Sequence, residues 1–143
     1  MSERPMRVLP EVTPQTEHFW RGGREGKLFF LRCAACETFV HPPAPVCPRC
    51  LGRELAARAV SGDAVVVACT VSHKAWVAGD DVPYAIAIVE LVEQAGLRLT
   101  TNVVGCAPDE VRIGMRVRVV FEEHEAEGIF IPLFEPVEGG QSR

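Results

Sequence analysis

From about residue 59 onward the chain alternates apolar stretches with turn residues. Ala64 to Ser72 is almost wholly apolar and β-branched, and Val65, Val67, Cys69 and Val71 fall on one face. Tyr84 to Val92 sets Ala85, Ala87, Val89 and Leu91 on one side, and Leu97 to Val104 follows. In Met115 to Glu122 the residues Met115, Val117, Val119 and Phe121 alternate with Arg116 and Arg118, and Ile129 to Phe134 closes the series. A period of two in short runs predicts strands. Gly62-Asp63, Gly79-Asp80-Asp81, Ala95-Gly96 and Glu127-Gly128 punctuate them as turns. Five such strands predict a small closed barrel, and the OB-fold is the commonest barrel of that size. Pro108-Asp109-Glu110 predicts a helical turn between the third and fourth strands, where an OB barrel carries its connecting helix.

The first part of the chain has a different pattern. Thr13 as N-cap, Pro14 in the first helical position and Glu17 in the first turn predict a helix, with Gly22-Gly23 ending it. That short helix carries His18, Phe19 and Trp20. Such a load either docks on the rest of the chain or meets a partner or ligand, since aromatic anchors are enriched at interfaces. Lys27 to Arg32 predicts a short strand running into Cys33, and Phe39-Val40 repeats the pattern beyond Cys36. The run His41-Pro42-Pro43-Ala44-Pro45 excludes a helix or a central strand and reads as an extended arm. The fold class is therefore mainly β: a short N-terminal helix, a rubredoxin-like four-cysteine zinc ribbon and a five-stranded OB-fold barrel. The organisation is an arm and helix over 1–26, the ribbon over 27–57, the barrel over 58–138 and a flexible tail over 139–143.

The ribbon holds the clearest chemistry. Cys33-x-x-Cys36 and Cys47-x-x-Cys50 are two knuckles ten residues apart, and together they bring four thiolates to one point. Such a set suits tetrahedral zinc and leaves no coordination position open, so the site is structural rather than catalytic. Disulfides or free thiols are the competing readings of the same spacing. Metal binding of this kind contributes on the order of 10–16 kcal/mol in small peptides, enough to fold a segment with little core of its own.

Charge narrows the function. Residues 1–60 hold nine Lys/Arg and six Asp/Glu, net +3, whereas residues 61–143 hold six and thirteen, net −7. An acidic barrel is poorly suited to phosphate backbones, so no nucleic acid is expected as partner. No run reaches the length of a membrane span and the N-terminus lacks an apolar signal stretch. With metal-spaced cysteines, the expected location is the cytoplasm.

A short aromatic helix, a four-cysteine ribbon and a five-stranded barrel, in that order, resemble the zinc-ribbon/OB-fold family known as domain of unknown function 35, proteins associated with acyl-CoA. The matching residues include Phe19-Trp20, Gly26-Lys27-Leu28, Arg32-Cys33-x-x-Cys36, Pro42-Pro43 and Val46-Cys47-Pro48-x-Cys50. In the barrel they continue with Ser61-Gly62, Thr70-Val71, Pro83-Tyr84, Val89-Glu90-Leu91, Ile113-Gly114-Met115 and Pro132-Leu133-Phe134. The chain departs from the family where an arginine often follows the arm prolines, and it carries one of the two knuckle glycines. The resemblance implies a non-catalytic auxiliary subunit in a hetero-oligomer with a thiolase-superfamily enzyme, a thiolase or a retro-aldolase acting on acyl-CoA thioesters. Some relatives serve hydratases of the hot-dog type instead. The partner would hold the chemistry, with acyl-CoA possible at the shared interface.

No catalytic residue is expected in this chain. Cys69 lies among valines and Cys106 at a strand end, without an adjacent base, and the serines have no nucleophile-elbow setting. His41 could replace a thiolate, but four already fill the site, and His124 among Glu122, Glu123, Glu125 and Glu127 reads as a solvated acidic loop. Coenzyme A would need cations: Arg21, Arg24, Lys27 and Arg32 form the dense basic cluster, and Trp20 could stack on an adenine. The plainer reading of those side chains is solvated surface. Phe19, Trp20 and Trp76 are the candidate partner anchors. A nucleic-acid-binding ribbon-plus-OB module and an iron-loaded electron carrier remain as rivals.

Overall fold

The computed structural model describes residues 8–75 and 82–137. The loop tryptophan Trp76 lies outside them. After an irregular arm, helix α1 spans Glu17–Arg21 and passes directly into a 3-10 turn over Gly22–Glu25. Strands β1 (Leu28–Cys33), β2 (Phe39–Val40) and β3 (Leu55–Val60) form an antiparallel sheet in the order β2-β1-β3. Strands β4 (Asp63–Ser72), β5 (Tyr84–Leu91), β6 (Arg98–Val103), β7 (Arg116–His124) and β8 (Ile129–Pro136) close a barrel in the order β4-β5-β6-β8-β7. The seam between β6 and β8 is parallel at Val103 and Phe134, where the Val104 N–H donates to the Phe134 carbonyl at 2.8 Å. The turn expected between the third and fourth barrel strands is a 3-10 turn over Pro108–Glu110.

Three expectations need correction. The helix starts at Glu17 rather than at Thr13-Pro14, and Thr16 is its N-cap. Thr13 and Thr16 instead hydrogen-bond each other in the preceding turn. Nor do Gly22 and Gly23 end the helical path. They are buried, and a Cβ on Gly23 would lie 2.5 Å from Phe130 Cβ and 2.7 Å from the Phe121 ring. Their role is close approach to the barrel, and the stop falls to Gly26 at φ 72°. Finally, Val65, Val67, Cys69 and Val71 do not share one face of β4. Ala64 and Val66 are the buried residues there, and a register shift between Val66 and Ala68 then brings Cys69 and Val71 opposite the inward Ala87 and Ala85. A bulge switches the face of everything beyond it, which unbroken alternation cannot foresee.

Ribbon and barrel share one core. Phe19, Leu28 and Phe30 pack in the same buried cluster as Val66, Ala87, Val89, Val117 and Phe134. The metal-proximal end of the ribbon keeps a separate small cluster of Cys33, Val40 and Cys47. Polar clamps fix the two parts as well. The Gln94 side chain, in the β5–β6 turn, accepts from the Phe39 N–H at 2.8 Å and donates to the Phe39 carbonyl at 3.0 Å. Glu93 accepts from the Ser61 N–H at 2.6 Å.

The glycine contacts give a direct test. Gly23→Ala should destabilise the chain by about 1–3 kcal/mol in urea unfolding because a methyl has no room there. Gly26→Ala meets nothing within 4 Å, so it should cost only the backbone conformation, about 1–2 kcal/mol.

Candidate metal centre and contact surface

The two knuckles are built alike. In the first, the Cys33 N–H donates to the Thr38 carbonyl and the Glu37 N–H to the Cys33 carbonyl, both at 2.8 Å. In the second, the Cys47 N–H donates to the Gly52 carbonyl and the Leu51 N–H to the Cys47 carbonyl with the same lengths. Glu37 and Leu51 both adopt φ 66°, a left-handed conformation that costs an L-residue about 1–2 kcal/mol. Neither position is glycine, so the turn geometry is imposed by what the cysteines must do.

The result is four sulfurs within 4.8 Å of one another. Cys33 and Cys50 Sγ are 3.5 Å apart and Cys36 and Cys47 Sγ 3.6 Å apart. A tetrahedral ion with metal–sulfur bonds of about 2.3 Å separates its sulfurs by roughly 3.8 Å, so the arrangement fits a dication of zinc's size. Cys33 and Cys47 are buried, Cys36 is half-buried and Cys50 is exposed. Backbone N–H groups of Arg49 and Gly52 point at the sulfurs of Cys47 and Cys50, each at 3.4 Å. A Cβ on Gly52 would sit 3.2 Å from Cys50 Sγ and 3.3 Å from Cys33 Sγ.

The crowding shows in the thiol acidities. Hydrogen bonding at Thr38, whose hydroxyl is 3.1 Å away, holds the Cys36 thiol down to about 6. At Cys50 the Gly52 N–H favours the thiolate, but the neighbouring sulfurs of Cys33 and Cys36 outweigh it and push the thiol up to about 12. Sulfurs this close compete for negative charge, and a dication removes the competition by stabilising all of them as thiolates. Thr38 and Gly52 occupy equivalent places two residues beyond Cys36 and Cys50. Gly52 is the one knuckle glycine that the resemblance picked out in the sequence, whereas Thr38 carried no signal there.

Behind the metal cluster lies a second polar feature that the sequence did not reveal. His41 stacks on Phe19 with ring centroids 4.9 Å apart and tilts against Phe30 at 4.7 Å. Buried nitrogens of His18 (Nε2) and His41 (Nδ1) find no hydrogen-bond partner among the described residues. Burial lowers the His18 imidazole, and burial with the nearby His18 lowers His41 to about 4.

The candidate contact residues have different fates. Phe19 is 5% exposed, stacked on Phe30 and His41, and is therefore an internal anchor rather than a partner contact. Trp20 meets it edge-on at 4.8 Å and is half-buried. Arg21, Arg24 and Lys27 are exposed. Arg21 pairs with Glu17 at 3.3 Å, and Arg24 lies over the Phe130 ring at 5.6 Å. Arg21 and Arg24 both approach Gly128 in the β7–β8 turn, whereas Arg32 points elsewhere, toward Glu37 and the Phe39 ring. The predicted basic cluster is thus divided.

His124 corrects another expectation. It is 8% exposed, not a loop residue in solvent, and bonds Glu122 at 2.8 Å at the end of β7. Cys69 Sγ donates to the Val111 carbonyl at 3.7 Å, and burial together with Glu110 raises the Cys106 thiol. A raised thiol is the opposite of an activated nucleophile.

The comparisons with known proteins agree with this geometry. Residues 20–56 match the rubredoxin-like zinc ribbon domain of ChsH2, and residues 57–122 match its C-terminal OB-fold domain. A DUF35 domain-containing scaffold protein of Methanocaldococcus jannaschii is 37% identical over 115 residues, 76% of this chain and 78% of its own. The chain belongs to the DUF35 family. A probable enoyl-CoA hydratase alpha subunit of Thermomonospora curvata is 35% identical over 131 residues, 92% of this chain. The match spans 40% of that longer relative. The solved structure of an Ltp2-ChsH2(DUF35) aldolase superposes with a TM-score of 0.79 at 34% identity, covering 90% of this chain and 98% of the matched chain.

Two measurements check the site. Cys47→Ser should abolish stoichiometric metal binding by elemental analysis and disorder the ribbon tip, while the barrel strands keep their amide protection. In proton NMR titrations, the His41 ring should stay neutral down to about pH 4. A histidine held neutral by folding contributes stability that is fully present above its unfolded value, about 6.5, and is lost as pH falls through the folded one. His41→Phe should therefore flatten the acid limb of the stability profile in that window.

Proposed function

We propose that this protein is a non-catalytic subunit of an acyl-CoA-processing complex, with a thiolase-superfamily partner that performs thiolysis or retro-aldol cleavage. The observation that carries the reading is the 34% identity, over 98% of its length, to a chain of the ChsH2(DUF35) aldolase assembly. The site chemistry supports it. Four sulfurs fill the metal's coordination sphere, so a zinc ion there would brace the ribbon and offer no position to substrate. Neither spare cysteine has the cationic surroundings or base that a nucleophile needs. Cys33, Cys36, Cys47 and Cys50 would hold the zinc, with Thr38 and the Gly52 N–H tuning the thiolates.

One observation favours a second reading, in which the partner is a hydratase of the hot-dog type. The probable enoyl-CoA hydratase alpha subunit contains a region like this one within a longer chain. In either case, the ribbon and barrel support the catalytic subunit at an interface to which acyl-CoA has access. Trp20, Arg21, Arg24 and Lys27 are the contact candidates on the α1 side, and Trp76 is a further one outside the described residues. The acidic barrel, with its net charge of −7 over residues 61–143, disfavours a nucleic-acid role.

Co-expression with a thiolase-superfamily or a hot-dog partner protein tests the reading. The isolated chain should not turn over acyl-CoA thioesters, and activity should require the complex. Trp20→Ala should weaken complex formation by about tenfold or more, as expected for loss of an aromatic anchor, with metal content unchanged. Turnover by the isolated chain that is lost in Cys69→Ala or Cys106→Ala would refute the proposal.

A further inference from the structure

The ribbon sheet has two edges, and among the described residues only one is closed. Phe39, on edge strand β2, exchanges hydrogen bonds with the Gln94 amide, so that edge is capped by a side chain from the barrel. At the other edge lies β3, which pairs with β1 from Leu28↔Val60 to Cys33↔Leu55 and with no other described strand.

The direction of its free backbone groups follows from the ladder. The Cys33 N–H and carbonyl are both used within the first knuckle, by Thr38 and Glu37, and so point away from β3. Leu55, opposite Cys33, is therefore in a non-hydrogen-bonded position and directs its own N–H and carbonyl outward. The bond from the Ala34 N–H to the Glu54 carbonyl, 2.9 Å, agrees, since Glu54 then faces β1. Alternation gives outward groups on Leu55, Ala57 and Ala59. Side chains leave room for a neighbour: Ala56, Arg58 and Ala59 are exposed, and Ala57 is half-buried.

Glu54, the residue just before β3, and Arg58 within it lie two positions either side of Ala56 on one face, and both are exposed. Neither forms an ion pair with another described residue. This segment is its own complement. A second copy running antiparallel, with Ala56 on the two-fold axis, sets Leu55 opposite the copy's Ala57, and both residues direct backbone groups outward; the exposed Arg58 guanidinium, which donates to the Ala57 carbonyl at 3.3 Å in the single chain, would turn from it to the copy's Glu54. The same register sets Glu54 opposite the copy's Arg58, and Arg58 opposite its Glu54. These are non-hydrogen-bonded positions, where cross-strand side chains come closest. Sliding the copy by one ladder repeat in either direction keeps the backbone pairing but separates both charge pairs. Charged residues commonly blunt an open edge. Here their placement selects one partner and one register.

We propose that β3 is a self-association edge, at which two copies of this chain join their ribbon sheets through antiparallel β3–β3 pairing fixed by reciprocal Glu54–Arg58 contacts. The joined sheet would run β2-β1-β3-β3-β1-β2, with a metal knuckle pair on each side of the axis. This pairing does not depend on the identity of the catalytic partner.

Charge reversal tests it on the metal-loaded full chain, by sedimentation equilibrium over micromolar to millimolar concentrations. Wild type should show a reversible monomer–dimer equilibrium. Arg58→Glu or Glu54→Arg alone should weaken it by about tenfold, since like charges directly opposite are destabilising. The double reversal Glu54→Arg/Arg58→Glu should restore it. Ala57→Pro, which removes an outward N–H, should abolish it. Unchanged metal content and circular dichroism would verify folding in each variant. Wild type that stays monomeric throughout, or a dimer indifferent to the single reversals, would overturn the proposal. So would a double reversal that fails to restore pairing. Loss of catalytic-partner capture without any change in self-association would overturn it in favour of a partner strand at the same edge.

Discussion

Mutual repulsion among four sulfurs held within 4.8 Å of one another is the constraint around which the ribbon is organised. Left to protons, the cluster distributes charge unevenly, with Cys36 drawn down and Cys50 pushed up. A dication would allow all of them to be thiolates at once, an electrostatic gain that would offset the left-handed turns of two non-glycine residues, Glu37 and Leu51. The turns in turn aim backbone N–H groups at the sulfurs. Without that closure the tip has only Cys33, Val40 and Cys47 as its buried cluster, too little to fold on hydrophobic burial.

The same chain puts the base of the ribbon to a different use. Phe19 and Phe30 stack, His41 closes over them, and Leu28 runs into the barrel core with Val66, Val89 and Phe134. The four sulfurs thus converge at the tip, while ordinary apolar packing and the Gln94 and Glu93 clamps orient the ribbon on the barrel. All four sulfurs of the candidate metal centre come from this one chain. A centre closed in this way is what the proposed supporting role requires. The cost is two imidazoles without hydrogen-bond partners among the described residues at one buried nitrogen each, and burial lowers the pKa of both.

How much of this was legible in the sequence depends on how local each cause is. The clustering of the four cysteines was legible because their spacing is a local property, and the barrel strands because alternation along a short run is a strong signal. Leu55-Ala-Ala-Arg-Ala-Val60 escaped notice as a strand, since alanines carry no alternation and its pairing with β1 is a long-range fact. The β4 bulge shifted a face midway along an otherwise uniform apolar run. Gly22 and Gly23 resembled a helix stop, and only the nearness of Phe29, Phe121 and Phe130 reveals that they serve packing. Gln94 and the His18–His41 pair have partners distant in sequence, and no spacing rule points to them.

The central claim is that the metal site is closed and therefore structural, leaving catalysis to a partner. X-ray absorption at the metal edge of the purified protein tests it most directly. The account predicts a first shell of sulfur alone, four scatterers at about 2.3 Å. A shell containing a nitrogen or oxygen in place of one sulfur would reveal an open or exchangeable position, and that result would contradict the account.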